Sequence, residues 1–325
     1  MKGSHSIILE TGHLKYVFNI KRNITIILGD SATGKSTMMS LLQEYGLRKE
    51  SSGVKLQSDV PCEVYTGNED QWQILLQSYH NSIIFFDEGY SFIFKKEFAE
   101  FIKNTDNYYV FITRKPIKCL PYSINEIYEI RTTGKYHFPE QIYHEFYPVY
   151  ADINSYYDTI DSDSPVLLVE DDRSGYQFFS KTWSGNCIST KGNAGFSKML
   201  RTYKPTAMIA DGAAFGAYIQ DVIIYKEHSP EVMVYLPESF EWMILKSGVI
   251  NSNNINDILD HPEDYIESSV HFSWERFFTD YLSDITKDDP ITAYQKDSLK
   301  QYYLDGKVKN SILSVIPEEL RCLFD

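Results

Sequence analysis

Asn23-Ile24-Thr25-Ile26-Ile27-Leu28-Gly29-Asp30-Ser31-Ala32-Thr33-Gly34-Lys35-Ser36-Thr37 is the stretch from which the chain is read. Residues 24–28 form a β-branched, apolar run that reads as a buried strand. Met38-Met39-Ser40-Leu41-Leu42-Gln43 reads as the first turns of an amphipathic helix. The residues between them fit G-x-x-x-x-G-K-[ST], with Gly29, Gly34, Lys35 and Ser36 at the fixed positions. Strand, glycine loop and helix in that order are the context of a phosphate-binding loop. Its glycines let successive backbone N–H groups curl around an anion at a helix N-terminus, where the dipole favours negative charge. Gly29, Asp30, Ser31, Ala32, Thr33, Gly34, Lys35, Ser36 and Thr37 are therefore expected to hold a nucleotide. Lys35 would neutralise the β- and γ-phosphates and the Ser36 hydroxyl would ligate Mg²⁺.

A second segment supports this reading. Ser82-Ile83-Ile84-Phe85-Phe86-Asp87-Glu88-Gly89 runs four apolar residues into two carboxylates, the pattern of a Walker B strand. A buried parallel strand delivers Asp87 at its C-terminal edge, where it can hold the Mg²⁺ hydration shell. Glu88, one residue on, is expected to orient or deprotonate an attacking water. Around these, residues 6–9 and 15–20 read as a hairpin through Thr11-Gly12-His13. Residues 54–56 and 62–65 read as short strands, residues 71–79 as a helix, and Tyr108-Tyr109-Val110-Phe111-Ile112 as another buried strand ending at Thr113-Arg114. Residues 127–130 and 141–143 read as a closing hairpin.

Composition narrows the class. A chain of 325 residues can hold two domains, each with its own core. No apolar run approaches the length of a membrane span, so no membrane partner is expected. Met1-Lys2-Gly3-Ser4-His5 and the short apolar run ended by Glu10 do not form a secretory pattern. Cys62, Cys119, Cys187 and Cys322 lack metal-site or disulfide-framework spacing, which points to a reducing, cytoplasmic setting. The net charge of −14 excludes a general duplex-coating protein, whose affinity comes from displacing counterions. Any nucleic acid contact must be local, metal-assisted or supplied by another subunit. The 25 Tyr and 19 Phe are read as core filling rather than a base-stacking surface.

Residues 152–165, acidic, polar and ending in Pro165, mark a domain boundary. Beyond it strand and helix alternate, which predicts a second parallel sheet. Val166-Leu167-Leu168-Val169-Glu170 is a strand ending in a carboxylate. Residues 175–183 are helical, 187–189 form a short strand and 195–203 a helix. Thr206-Ala207-Met208-Ile209-Ala210-Asp211 is a second strand ending in a carboxylate. Residues 213–228 read as one long helix. Val232-Met233-Val234-Tyr235-Leu236 then runs into Pro237-Glu238-Ser239-Phe240-Glu241. Carboxylates at the ends of parallel strands converge on one sheet edge, and clustered oxygen ligands suit Mg²⁺ or Mn²⁺. Residues 242–325 read mostly as helices, and His228, His261 and His271 have no ligand-like spacing.

On Gly29 to Thr37, Asp87-Glu88 and Ile112-Thr113-Arg114, residues 6–147 resemble a minimal ATP-binding-cassette-like P-loop ATPase. The resemblance implies ATP and Mg²⁺ as ligands, Ser36 and Asp87 on the metal, Lys35 and Glu88 in catalysis, and a γ-phosphate sensor at Thr113 or Arg114. The sequence has no LSGGQ-type signature and no long coiled-coil insertion. The usual sandwich dimer therefore does not follow, and turnover is expected to be slow or to need another protein.

Residues 165–245 resemble a Toprim domain, as in topoisomerases, primases and nucleases of the overcoming-lysogenization-defect group. Glu170 matches the glutamate ending the first strand, and Asp211 the first aspartate of Asp-x-Asp. Glu238 and Glu241 resemble an acidic pair of some nuclease branches. The resemblance implies metal on Glu170, Asp211, Glu238 and Glu241, with Glu170 and Asp211 catalytic. Two departures stand against it. Ala213 takes the place of the second aspartate, and Asp171 that of the usual glycine; Asp171 or Asp172 could compensate.

The expected fold is α/β with two domains, each with a mainly parallel sheet. These are a P-loop ATPase domain (1–150), an acidic linker (151–164), a Toprim-like domain (165–245) and a helical C-terminal extension (246–325). The expected function is ATP binding and hydrolysis controlling a Toprim-like, Mg²⁺-dependent nuclease. Proteins joining these modules occur in phage defence and mobile elements, a setting implied by resemblance. The alternative is a nucleotide-sensing regulatory or partner-binding module with an inactive Toprim-like half. Nucleic acid, a second protein and self-association all stay open as partners beside ATP.

Overall fold

The run expected as a buried strand forms, at Ile24–Ile27, with all four residues buried. A computed structural model gives the structure of the protein and describes residues 1–29, 33–137, 141–151, 153 and 165–324. Asp30, Ser31 and Ala32, and most of the acidic linker, lie outside the described residues. The chain divides into two compact units, Met1–Tyr150 with Glu263–Ser273, and Ala151–Pro262 with Trp274–Asp325.

The first unit holds β1 (His5–Glu10), β2 (Leu14–Ile20), β3 (Ile24–Ile27), β4 (Lys55–Gln57), β5 (Cys62–Val64), β6 (Ile83–Phe86), β7 (Tyr108–Ile112), β8 (Ile127–His137) and β9 (Gln141–Pro148). Its helices are α1 (Lys35–Arg48), α2 (Trp72–Leu76) and α3 (Lys96–Ile102). The nine strands form one sheet in the order β4-β1-β2-β9-β8-β3-β7-β6-β5. From β8 to β5 every neighbouring pair is parallel. The hairpins β1–β2 and β8–β9 are antiparallel, so the sheet is mixed. The β1–β2 hairpin is continuous with the sheet through the parallel β2–β9 pair.

β3, β6 and β7 are buried along their whole length, as expected of parallel strands covered on both faces. On one face Ile83 and Phe85 meet Met38 and Leu42 of α1 in a core that also takes Ile7, Leu9 and Phe18. On the other, Phe86 stacks on Phe111 at 5.2 Å and meets Phe98 edge-on at 5.8 Å, while Trp72 stacks on Phe92 at 5.3 Å. The aromatic richness here serves as core. Glu263–Ser273, expected within a helical extension, instead belongs to the first unit. Gly3 N donates to Glu263 O at 2.7 Å, and Asn23 Nδ2 to Phe272 O at 2.7 Å.

The second unit contains β10 (Val166–Val169), α4 (Ser174–Thr182), β11 (Asn186–Ser189), α5 (Phe196–Tyr203), β12 (Ala207–Ile209), α6 (Ile219–His228) and β13 (Met233–Tyr235). It continues through α7 (Phe240–Lys246), α8 (Ile255–Asp260), α9 (Trp274–Thr286), α10 (Gly306–Leu313) and α11 (Glu318–Arg321). Its strands pair in parallel in the order β11-β10-β12-β13. After β10 the chain goes to one side, and after β11 it crosses to the other. The switch point therefore lies between the ends of β10 and β12, where open α/β sheets leave a crevice.

The long helix expected from residue 213 starts later. Gly212 N donates to Pro237 O at 2.6 Å and Ala213 N to Glu238 O at 3.2 Å. These bonds keep the chain beside the segment after β13, and α6 forms only after a 3₁₀ turn at Gly216–Tyr218. A Cβ on Gly212 would lie 2.6 Å from Leu236 O and 2.9 Å from Pro237 O. Gly212→Ala should lower stability by about 1–3 kcal/mol, because the obstacle is backbone. An unchanged urea-unfolding midpoint would show that the two turns separate at no cost.

Candidate functional site

In the first unit the C-terminal ends of β3, β7 and β6 lie at one edge, with β7 in the middle. Ile27 is opposite Ile112, and Phe111 opposite Phe86. Gly29, two residues beyond β3, has φ 128°, and Gly34, just before α1, has φ 93°. Both values favour glycine. Lys35 is buried and its Nζ turns back into the loop, donating to Gly29 O at 2.9 Å and Thr33 Oγ1 at 2.8 Å. Ser36 and Thr37 are exposed in the first turn of α1. Tyr16 donates to Gly34 O at 3.0 Å and stacks on His144 at 4.7 Å, which fixes the far side of the loop.

Asp87 follows β6 directly, and its Oδ1 accepts from Glu88 N at 2.8 Å. Glu88 is exposed and pairs with Arg114 Nε at 3.4 Å. Thr113 is buried and its hydroxyl closes a local turn, donating to Lys115 O at 2.9 Å and accepting from Lys115 N at 3.0 Å. Of the two sensor alternatives, Arg114 is thus the one whose side chain reaches Glu88. The residues suit a magnesium–nucleotide: an ammonium held by Gly29 and Thr33, a hydroxyl at a helix start, and a carboxylate at the same edge.

The second unit has a separate acidic centre at the switch point. Glu170 follows β10, and its Oε2 accepts from Asp211 N at 2.8 Å; Asp211 Oδ1 accepts from Phe240 N at 3.2 Å. Glu241, in the first turn of α7, is 1% exposed. Its Oε1 accepts from Tyr294 Oη at 2.6 Å, which leaves Ser174 Oγ to donate to Tyr294 Oη, also at 2.6 Å. Lys296 reaches the same centre. Its Nζ donates to Glu275 Oε1 at 2.7 Å and lies 3.6 Å from Glu241 Oε1. Thr279 Oγ1 is a further acceptor at 3.4 Å. Glu170, Asp171, Asp211, Glu275 and Lys296 line a cavity of about 420 Å³ whose wall also carries Arg173 and Arg276.

Removal from water, followed by the charge of Glu275, raises the Glu170 pKa to about 8. Asp211 is raised well above the ordinary carboxylate range by burial and then by Glu170. Burial also raises Asp171, although its Oδ1 accepts from Tyr176 N at 3.0 Å. Burial acts to lower Lys296, but Glu241, Glu275 and Asp211 outweigh it and raise its pKa.

Glu170 and Asp211 thus come together as the strand-end pattern implies. Glu241 joins them through the charge of Lys296, while neither Glu241 nor Glu238 is among the residues lining the cavity. Ala213 is buried and contributes only backbone. Glu275, Tyr294 and Lys296 were not foreseen from sequence. The i,i+4 spacing of Glu275 and Thr279 on α9 is a faint signal for the first, and nothing local marks the other two. Among the described residues no three His, Cys, Asp or Glu side chains converge as a metal-ligand group. An ammonium stands where the implied divalent ion would be needed, so these side chains as arranged do not fit that ion. No helix in the described residues is long and apolar enough to cross a membrane. Comparison with protein families, curated proteins and solved structures finds no match to this chain.

The raised carboxylate sets a sign for pH dependence. With Glu170 at 4.5 ordinarily and about 8 when folded, folding takes up a proton between those values. Its contribution is fully present below about pH 4.5 and is lost as pH rises through 8. The urea midpoint should therefore fall from pH 5 to pH 8, and Glu170→Gln should flatten the decline. Equal slopes in both proteins would remove Glu170 as the source.

Proposed function

We propose that the first unit binds ATP with Mg²⁺ and hydrolyses it, and that its nucleotide state governs the acidic centre of the second unit. One observation carries the ATPase reading. Lys35, at the start of α1, donates to Gly29 just after β3 and to Thr33, at the sheet edge where β6 ends in Asp87 and Glu88. In this reading Lys35 would neutralise phosphate charge, and Ser36 and Asp87 would hold a magnesium ion, whose charge would favour phosphoryl transfer. Glu88 orients the attacking water. The Glu88–Arg114 pair, exposed on both sides, is weak enough for Glu88 to be released to a substrate.

For the second unit one reading is cleavage of nucleic acid at Glu170 and Asp211, which would need a Mg²⁺ or Mn²⁺ ion that the side chains as arranged do not fit. Support comes from their meeting at the switch point of a parallel sheet, beside a cavity with arginines on its wall. A specific observation favours the second reading, a regulatory or partner-binding module without catalysis. Lys296 sits in the acidic centre and Ala213 supplies no carboxylate.

ATP with Mg²⁺ should raise the melting temperature, since a ligand of the folded state stabilises it by mass action. Lys35→Ala should remove most of that gain; an equal gain in the variant would dismiss the loop as the nucleotide site. Glu88→Gln should keep ATP affinity but slow hydrolysis by about a hundredfold or more. Wild-type turnover would make Glu88 structural.

Nuclease assays with Mg²⁺ or Mn²⁺, with and without ATP, separate the two readings of the second unit. Metal-dependent cleavage lost in both Glu170→Ala and Asp211→Ala supports the first. Absence of cleavage with intact ATP binding supports the second.

A further inference from the structure

Between the chain leaving β6 and the chain leaving β7 lies a cavity of about 620 Å³. Its wall is mostly apolar, with Tyr90, Ile93 and Phe94 from the first segment and Ile112 and Pro116 from the second. A cavity of this size and lining is the ordinary form of a small-molecule site. Each wall has anchors of its own. Ser91 donates to Glu69 through its N at 2.6 Å and its Oγ at 2.7 Å, and Tyr90 Oη donates to Tyr65 O at 3.1 Å. On the other wall Thr113 closes its turn with Lys115.

Two features give the cavity a chemistry. Phe94 is 41% exposed, so an apolar ring faces water at its edge, and covering that ring is favourable. Among the described lining residues Glu88 is the one carboxylate. Its partner Arg114, at 3.4 Å, stands between Thr113 and Lys115 on the other wall, and both members of the pair are exposed. Such a pair is weak enough for another cation to replace one member. Lys115, also in the lining, is exposed, and an ammonium on a flexible stem keeps its charge in water.

We infer that this cavity binds a small organic cation, an aromatic or branched apolar body ending in an ammonium or guanidinium group, whose charged end takes the place of Arg114 on Glu88. The body covers the apolar walls and the edge of Phe94, and the charged end meets the carboxylate. A Glu88 held in this way is not available to orient water, so the ligand slows ATP hydrolysis and leaves ATP affinity unchanged. Binding does not need the ATPase reading of the first unit; the effect on hydrolysis rests on it.

The test is ligand-observed magnetic resonance on the full chain with phenethylamine, against hydrocinnamate as an anion of similar shape. The amine should bind about fivefold more tightly than the acid. Glu88→Gln should erase that preference, while Arg114→Ala should tighten amine binding about threefold because the competing cation is gone. Phe94→Ala should weaken both probes severalfold. The three side chains are exposed, and changes of opposite sign at Glu88 and Arg114 cannot come from unfolding. Equal binding of amine and acid, an amine preference that survives Glu88→Gln, or binding of neither probe would overturn the inference. ATP hydrolysis measured with the amine bound tests the effect on Glu88. Slower turnover at unchanged ATP affinity supports the displacement of Arg114, and unchanged turnover overturns it. A chain that hydrolyses no ATP would refute the ATPase reading alone, and the binding results would still decide the cavity.

Discussion

The second unit depends on how it balances carboxylates withdrawn from water. Glu170, Asp211, Glu241 and Glu275 meet around Lys296, and an uncompensated charge there would be strongly unfavourable. The arrangement answers with one ammonium and with carboxyl groups whose pKa values are raised. It answers with oriented donors too: the backbone N–H groups of Asp211 and Phe240, and the hydroxyl of Tyr294. Each donor belongs to a different turn or helix. The polar centre therefore ties together β10, β12, α7, α9 and the loop after α9, as a packed apolar cluster would.

The two units apply the same rule of sheet geometry to different chemistry. Parallel strands end together, so residues placed just after them converge whatever their distance along the chain. In the first unit the convergent groups are a glycine loop with Lys35, and Asp87 with Glu88, which suits a polyphosphate and its metal. In the second they are carboxylates, which suit a cation. A cation is already present in the form of Lys296, paired with Glu241 and Glu275.

Much of this was legible in the chain itself. The buried runs 24–28 and 83–86 became β3 and β6 because continuous β-branched and aromatic stretches suit strands covered on both faces. The alternation after residue 165 became a parallel sheet, with Glu170 and Asp211 at neighbouring strand ends. Local pattern misled where a tertiary contact outweighed it. Residues 213–215 have helix-compatible composition, yet Gly212 and Ala213 donate to the segment after β13 and delay α6. Residues 263–273 look like part of a helical tail, yet their carbonyls accept from Gly3 and Asn23 of the first unit.

By itself the sequence determined where strands end and which of those ends carry a glycine-rich or an acidic stretch, because these are properties of short contiguous stretches. Only the tertiary structure decided which charges share a site. Lys296 is 126 positions from Glu170 in the chain, and Glu275 lies on α9, outside the strands and loops that carry recognisable motifs. Their encounter comes from packing a C-terminal loop against α4 and α9 against α7. That packing is long-range, and no local pattern encodes whether an acidic cluster keeps room for a metal ion or closes around a lysine.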